Sequence, residues 1–147
     1  MRHVPHNRCF GCGQDNLTGL RLEFLLAADG AVVCLPAIQD TFEGHPAYLH
    51  GGIIATLLDE AMSKAVRAGG WTAMTRHMEV DYLRPVPSRT PLRIEGRVIR
   101  SEGRKHWAEA RIEGAQEKLL ARAKGVFIEI PVGTKSCRRP IDRPAPL

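Results

Sequence analysis

The sequence predicts an α+β fold, with one long central helix packed on a mostly antiparallel sheet of five or six strands. Residues 49–67 carry apolar side chains at helical spacing, whereas the segments on either side show the two-residue alternation of β-strands. The length of 147 residues is enough for one domain with a modest core and too short for two.

A hairpin is predicted before the helix. Residues 20–26 place apolar side chains at every second position, and two of the positions between them are charged. Residues 27–30 end in a glycine and predict a turn into a second strand at residues 31–35. We therefore expect these two strands to pair.

The helix itself carries a broad apolar stripe, which predicts that one face lies in the core. Its first turn holds His50, Gly51 and Gly52, and the pair Gly69 and Gly70 predicts its end. Two columns at i, i+4 spacing form the stripe: Ile53, Leu57, Ala61 and Ala65 in one, and Ile54, Leu58, Met62 and Val66 in the other.

Four further strands follow the helix, at residues 74–83, 92–99, 106–113 and 119–130. Two prolines close the first of them, and a polar turn at residues 114–118 separates the last two. The end of the chain holds four of the ten prolines. We therefore divide the chain into an N-terminal segment with Cys-x-x-Cys (residues 1–19), a central domain (20–130) and a basic, proline-rich tail that packs loosely (131–147).

Two adjacent carboxylates lie in the middle of the helix, and helical geometry predicts different roles for them. Glu60 shares its face with Lys64 and Arg67, which predicts a solvated ion-pair face. Asp59 lies at the edge of the apolar stripe and has no cation at i±3 or i±4. A carboxylate in such a setting is a candidate functional group, and the alternative is an ordinary polar residue at the edge of the stripe.

The first turn of the helix is a candidate site for an anion or an oxyanion. Unpaired backbone N–H groups and the positive end of the helix dipole lie there, and glycines allow a ligand to approach the backbone. The alternative is that Gly51 and Gly52 form only a turn before the helix.

Three motifs together resemble a known family. They are H-G-G at residues 50–52 with Asp59 downstream, Y-L-R-P-V at residues 82–86, and C-F-G-C-G-Q-D-N-L-T-G-L-R-L-E-F at residues 9–24. In this combination the chain resembles the hotdog-fold acyl-CoA thioesterases, notably the phenylacetate-pathway type, over roughly residues 9–130.

The resemblance implies a hotdog fold and the hydrolysis of an acyl-CoA thioester to a free acid and coenzyme A. It places Asp59 at the catalytic carboxylate position, as base or nucleophile, with the N–H of Gly51 or Gly52 polarising the carbonyl. These groups lie about 11–12 Å apart along one helix at 1.5 Å per residue. In the family the site spans a dimer interface, so we expect a homodimer, and a dimer of dimers stays open.

Supporting roles follow from the same resemblance. Thr75 falls where relatives place a hydroxyl that positions water, although threonine is also a common strand residue. His50 could orient the glycine turn or cap the helix. Coenzyme A contacts are expected from Arg84, Gly103, Arg104 and Lys105, although residues 100–105 could instead form an ordinary charged hairpin turn.

One position departs from the family pattern. Some relatives carry an asparagine that assists the leaving group, and Gly44 stands near that position in this chain. His45 could take its place only if the loop points inward. Two other functions therefore stay open: a non-catalytic acyl-CoA-binding hotdog module, and a dehydratase or hydratase, which would need a histidine–acid pair that the sequence does not reveal.

Composition limits the partners. The net charge of +5 suits a polyanionic ligand such as coenzyme A, whereas 5% aromatic residues, not interleaved with basic ones, argue against nucleic acid binding. The sequence has no run of 18 apolar residues and its N-terminus has no apolar signal region. We expect no membrane partner and a cytoplasmic location.

The N-terminal segment contains four side chains that are able to bind tetrahedral zinc, at His3, His6, Cys9 and Cys12. Zinc sites usually draw ligand pairs from separated segments, so we favour reduced thiols that pack as small apolar groups. Structural zinc stays open, and we expect no cofactor to be required for hydrolysis.

Overall fold

The computed structural model describes residues 6–131. One helix, α1, spans Gly51–Ala68, and two short 3-10 turns lie at Asp40–Phe42 and Ala115–Glu117. The strands are β1 (Leu25–Leu26), β2 (Val32–Cys34), β3 (Glu43–His45), β4 (Tyr48–Leu49), β5 (Ala73–Tyr82), β6 (Arg93–Glu102), β7 (Lys105–Glu113) and β8 (Leu119–Glu129).

Six of these strands form one antiparallel sheet in the order β1-β2-β6-β7-β8-β5, and β3 and β4 form a separate small hairpin. The predicted α+β class, with one helix and six sheet strands, is confirmed. β5 does not pair with β6, the next strand in the chain. It lies at one edge of the sheet and pairs with β8, the last strand.

The predicted apolar stripe of α1 packs against this sheet. Leu57, Leu58, Ala61 and Met62 have no exposed surface, so the two i, i+4 columns are indeed the buried face. The helix lies very close to β6, because a Cβ built on Gly96 would stand 2.4 Å from the carbonyl oxygen of Ala61. Glycine at that position therefore sets how closely α1 approaches the sheet.

The predicted first strand is shorter than expected. Leu22 and Phe24 are buried, so the alternation correctly identified the inward face. However, the N–H groups of Leu20 and Leu22 donate to the carbonyls of Phe10 and Gly11, at 2.8 and 2.9 Å. Residues 20–24 are thus held by the N-terminal segment, and only β1 joins the sheet.

The later strands agree closely with the predicted ones, and α1 ends at the predicted glycine pair, where Gly70 has a φ of +97°. Most of the predicted tail, residues 132–147, and His3 lie outside the described residues. Within residues 6–131, the helix does not have the length and apolarity that crossing a bilayer would require.

Candidate active site

The backbone donors at the start of α1 differ in their hydrogen bonds. His50 is the N-cap, and its Nδ1 accepts a hydrogen bond from the N–H of Gly52 at 2.9 Å. The N–H of Ile53 donates to the carbonyl of His50 at 2.9 Å. Of the first three N–H groups, only that of Gly51 has no acceptor among residues 6–131. The N–H of Gly52 is therefore occupied, whereas no described residue accepts the N–H of Gly51.

The far end of β5 is tied to the same turn. The Tyr82 hydroxyl donates to the carbonyl of Gly51 at 3.1 Å, and its ring lies 3.7 Å from where a Gly51 Cβ would stand. The side chain of Tyr82 thus fixes the orientation of the first helical peptide, and one end of β5 lies beside the glycine turn.

Asp59 and Thr75 are in direct contact. Thr75, near the start of β5, donates from Oγ1 to Oδ1 of Asp59 at 2.7 Å. The family resemblance assigned these two residues, 16 positions apart, to one site, and the fold brings them together across the helix–sheet boundary. Asp59 is partly buried, and Oδ1 is held in a fixed direction.

The pKa of Asp59 is raised from its ordinary value. The main cause is burial, which disfavours the charged form; the hydrogen bond from Thr75 opposes this, and the negative charge of Glu60 adds to it. A carboxylate with a raised pKa is a stronger base than an exposed one, and a perturbed group at a helix edge fits a functional role.

Glu60 does not lie on a solvated face, which corrects the prediction for that carboxylate. It does pair with Lys64, at 3.4 Å, but both side chains are only 13% exposed. The turn at residues 9–13 covers them, and Cys12 Sγ accepts a hydrogen bond from Lys64 Nζ at 2.9 Å. Cys12 therefore does not pack as an apolar group, contrary to prediction, and His6 lies outside the cluster of Cys9, Cys12 and Glu60.

The residues expected to contact coenzyme A fall into two groups at opposite ends of the sheet. Arg84 donates to the carbonyl of Leu119, and Arg104 donates to the carbonyl of Glu129, each at 2.7 Å. These carbonyls lie at the two ends of β8, about 33 Å apart at 3.3 Å per residue. Gly103 (φ +56°) forms the β6–β7 turn beside Arg104. Within one protomer, Arg84 is therefore far from Arg104 and the β6–β7 turn.

The structure also explains the departure at Gly44. A Cβ there would stand 2.9 Å from the Cα of His50, so the backbone as it stands leaves no room for an asparagine. His45 is exposed and its ring lies 6.5 Å from that of Tyr48.

The structure contains a histidine–acid pair that the sequence did not reveal, and its histidine is buried. His106 bonds to Glu129 through Nε2 and to Ser101 through Nδ1, both at 2.9 Å, and its ring stacks on Trp71. Both ring nitrogens of His106 are thus engaged in hydrogen bonds. Because the side chain is only 1% exposed, a ligand cannot reach them. This pair supports the β6–β7 turn and does not favour a hydratase.

The comparison with known families decides the identity of the fold. The thioesterase superfamily model matches residues 47–121, which is 75 of the 147 residues. The chain belongs to the thioesterase superfamily. The match spans α1, β5, β6 and β7 and therefore includes His50, Gly51, Asp59 and Thr75.

Solved structures confirm the hotdog fold of this superfamily member. A crystal structure described as a thioesterase superfamily protein has a TM-score of 0.80 and 27% identity, covering 84% of this chain and 61% of that one. PaaI from the phenylacetic acid degradation operon of E. coli has a TM-score of 0.69 at 21% identity, covering 75% and 84%. A Streptococcus mutans protein bound to acetyl CoA has a TM-score of 0.73 at 19% identity, covering 88% and 97%.

Curated relatives include acyl-coenzyme A thioesterase THEM4 of Rattus norvegicus, at 29% identity over 76% of this chain and 50% of that protein. THEM4 of Xenopus laevis is 32% identical over 73% of this chain and 49% of that protein. The chain spans about half the length of these relatives.

Proposed function

We propose that this protein hydrolyses acyl-CoA thioesters, with Asp59 as general base or nucleophile and the N–H of Gly51 polarising the thioester carbonyl. The observation that carries the proposal is the contact of Asp59 with Thr75 in a thioesterase-superfamily fold. At the start of its helix, the N–H of Gly51 has no acceptor within the described part of the chain. Thioester hydrolysis needs these two functions, a donor for the carbonyl oxygen and a base or nucleophile.

We infer that two protomers contribute to one site. Gly51 and Asp59 are eight residues apart on α1, which is about 12 Å along the axis at 1.5 Å per residue. A carbonyl group held by the N–H of Gly51 is thus out of reach of Asp59 in the same chain. The donor of one protomer and the carboxylate of its partner together complete the site.

The exposed edge of β5 offers a surface for this dimer. Among residues 6–131, β5 pairs with β8 on one side only, and it exposes the apolar side chains of Met74 and Tyr82 at 62% and 54%. Antiparallel pairing of two β5 edges about a twofold axis places the Thr75 end of one strand beside the Tyr82 end of the other. Asp59 of one protomer then lies near the glycine turn of its partner.

The same arrangement joins the two groups of cations. Arg84 lies just beyond the Tyr82 end of β5. The turn at residues 103–105 lies near the other end of β5. The backbone links them, since Ile130 donates to the carbonyl of Thr72 and Glu129 donates to that of Arg104. Pairing of β5 edges brings Arg84 of one protomer toward Arg104 and Lys105 of the other. Cations on both sides of the cleft suit the phosphates of coenzyme A.

The direct test is hydrolysis of a panel of aromatic, short-chain and long-chain acyl-CoAs, measured by the release of free coenzyme A thiol. We expect turnover of at least one class. Tight binding of an acyl-CoA without any thiol release would favour the non-catalytic binding module, for which the lack of a side chain at Gly44 is the supporting observation.

We expect Thr75→Val to move the acid limb of the kcat/KM–pH profile to higher pH. Asp59 acts deprotonated, so activity falls as pH drops through its pKa. Valine keeps the β-branched shape and removes the bond that lowers this pKa, so the pKa rises further. Loss of a hydrogen bond to a charged group should also lower kcat/KM by about tenfold.

Thr75→Ser is the matched control for this measurement, because serine keeps a hydroxyl donor for Asp59. Its profile should stay close to that of the natural chain. An acid limb that is unchanged in Thr75→Val, or that moves to lower pH, would contradict the proposed coupling between these two side chains.

Arg104→Ala should raise KM for acyl-CoA by about tenfold and leave kcat almost unchanged, since one charge-assisted contact to a phosphate is lost. The informative comparison is an acyl-pantetheine thioester, which lacks the nucleotide. The variant and the natural chain should hydrolyse that substrate equally well. An equal loss on both substrates would mean that Arg104 supports the fold through Glu129 and does not bind the nucleotide.

A further inference from the structure

The turn at residues 9–13 brings two thiols close together. Gly13 N–H donates to the carbonyl of Cys9 at 2.9 Å and closes the turn. A Cβ at Gly13 would stand 2.5 Å from both the N and the O of Cys9, so only glycine fits this geometry. Cys9 and Cys12 therefore point to one side, and both are free thiols.

A carboxylate from α1 completes a group of three ligand atoms. Gly11 lies directly on Glu60, since a Cβ there would stand 2.6 Å from Oε2. One ligand atom from each of Cys9, Cys12 and Glu60 lies within 4.8 Å of the others. Two separate segments thus supply the ligands, as is usual for zinc, which takes thiolate sulphur and carboxylate oxygen.

We propose that Cys9, Cys12 and Glu60 bind a structural zinc ion, with water as the fourth ligand. In a tetrahedral site with Zn–S near 2.3 Å, ligand atoms lie about 3.5–3.8 Å apart, so shifts of about 1 Å complete the site. The sequence left open a zinc site made of His3, His6, Cys9 and Cys12; in the structure, the carboxylate of Glu60 lies beside the two cysteines.

Charge favours this assignment. Two thiolates and one carboxylate carry a charge of −3, and Zn²⁺ together with the ammonium of Lys64 balances it. Lys64 Nζ lies 2.9 Å from Cys12 Sγ and 3.4 Å from Glu60, where it can donate to a metal-bound thiolate and support it from outside the ligand set. A simple Cys9–Cys12 disulfide would need neither the carboxylate nor the lysine.

Such an ion would fasten the N-terminal segment to the helix that carries the candidate catalytic residue. Glu60 follows Asp59 directly, and residues 10 and 11 also hold the backbone of residues 20–22. Metal binding would therefore stabilise the folded chain and fix the outer face of α1. The site does not depend on thioester hydrolysis, so metal binding tests it independently.

The experiment uses the full chain, reduced, stripped with a chelator and then given Zn²⁺ or Co²⁺. We expect one zinc per chain by elemental analysis, a rise in melting temperature with zinc, and a cobalt–thiolate charge-transfer band. Cys9→Ser and Cys12→Ser should lose the band and the stoichiometric zinc. Glu60→Gln should weaken binding by roughly tenfold or more, because it removes an anionic ligand and keeps both thiols.

Cys34→Ala is the matched control, since this thiol lies in β2, outside the cluster, and its loss should leave the stoichiometry unchanged. Failure of the reduced chain to take up either metal would overturn the proposal. Unchanged zinc affinity in Glu60→Gln would also overturn it, because the cysteines would then bind the metal with other ligands. A joint His3→Ala, His6→Ala variant would test whether those ligands are the two histidines.

Discussion

Asp59→Asn should lower kcat by a factor on the order of 10²–10⁴, the usual contribution of a positioned acid–base group, while the chain stays folded. Asparagine has nearly the same shape, and its side-chain oxygen can still accept the hydrogen bond from Thr75. It cannot take a proton from water or attack the thioester. The measurement is thiol release from the best acyl-CoA of the panel, under saturating conditions.

Stability provides a second measurement that separates a catalytic role from a structural one. The folded pKa of Asp59 is raised by burial, so the folded state binds the proton more tightly than the unfolded state. The contribution of Asp59 to stability is therefore lost as pH rises through its folded pKa, and its charged form destabilises the folded state at neutral pH. Asp59→Asn should melt at the same temperature as the natural chain or slightly higher.

Asp29→Asn is the matched control for the chemistry. Asp29 is exposed in the β1–β2 turn, where Oδ1 accepts the N–H of Ala31, and asparagine can keep that bond. Full activity in this variant and near-zero activity in Asp59→Asn would assign the effect to position 59. Turnover in Asp59→Asn within a few fold of the natural chain would exclude Asp59 as base or nucleophile.

Local patterns in the sequence were enough to predict α1 and the four strands after it. Leu57, Leu58, Ala61 and Met62 recur at helical spacing, and this spacing identifies the face that packs on the sheet. Asp59 was identified as the unusual carboxylate for the same reason, since its lack of nearby cations can be read along one helix. The neighbouring Thr75 came only through family resemblance, and its contact with Asp59 depends on tertiary packing.

Two of the failures share a physical cause, which is contact with a segment distant in sequence. Glu60 faces a direction that helical geometry predicts correctly, but a distant turn around Gly11 covers that face, and no periodic pattern records such a contact. The N-terminal segment likewise takes the backbone bonds of Leu20 and Leu22 and shortens the first strand. The short β3–β4 hairpin, only three and two residues long, gave no alternation to detect.

Mixing two inactive variants should restore activity if the site is shared between protomers. Gly51→Pro removes the free N–H, and proline suits the first helical position because His50 before it is already extended, at φ −62° and ψ 140°. Asp59→Asn removes the carboxylate. Each homodimer should be inactive, whereas each mixed dimer holds one site with both groups intact, so random exchange should give about a quarter of natural activity.

A site contained within one protomer predicts a different outcome, because every chain in the mixture then lacks one of the two groups and no exchange can restore turnover. Gly51→Ala is the matched control for the proline variant: it keeps the N–H, and its Cβ would meet Tyr82 at an ordinary contact distance of 3.7 Å. It should retain most of the natural activity. Restored turnover with an active Gly51→Ala would place the donor and the carboxylate of one site on different chains, as we propose from their separation along α1.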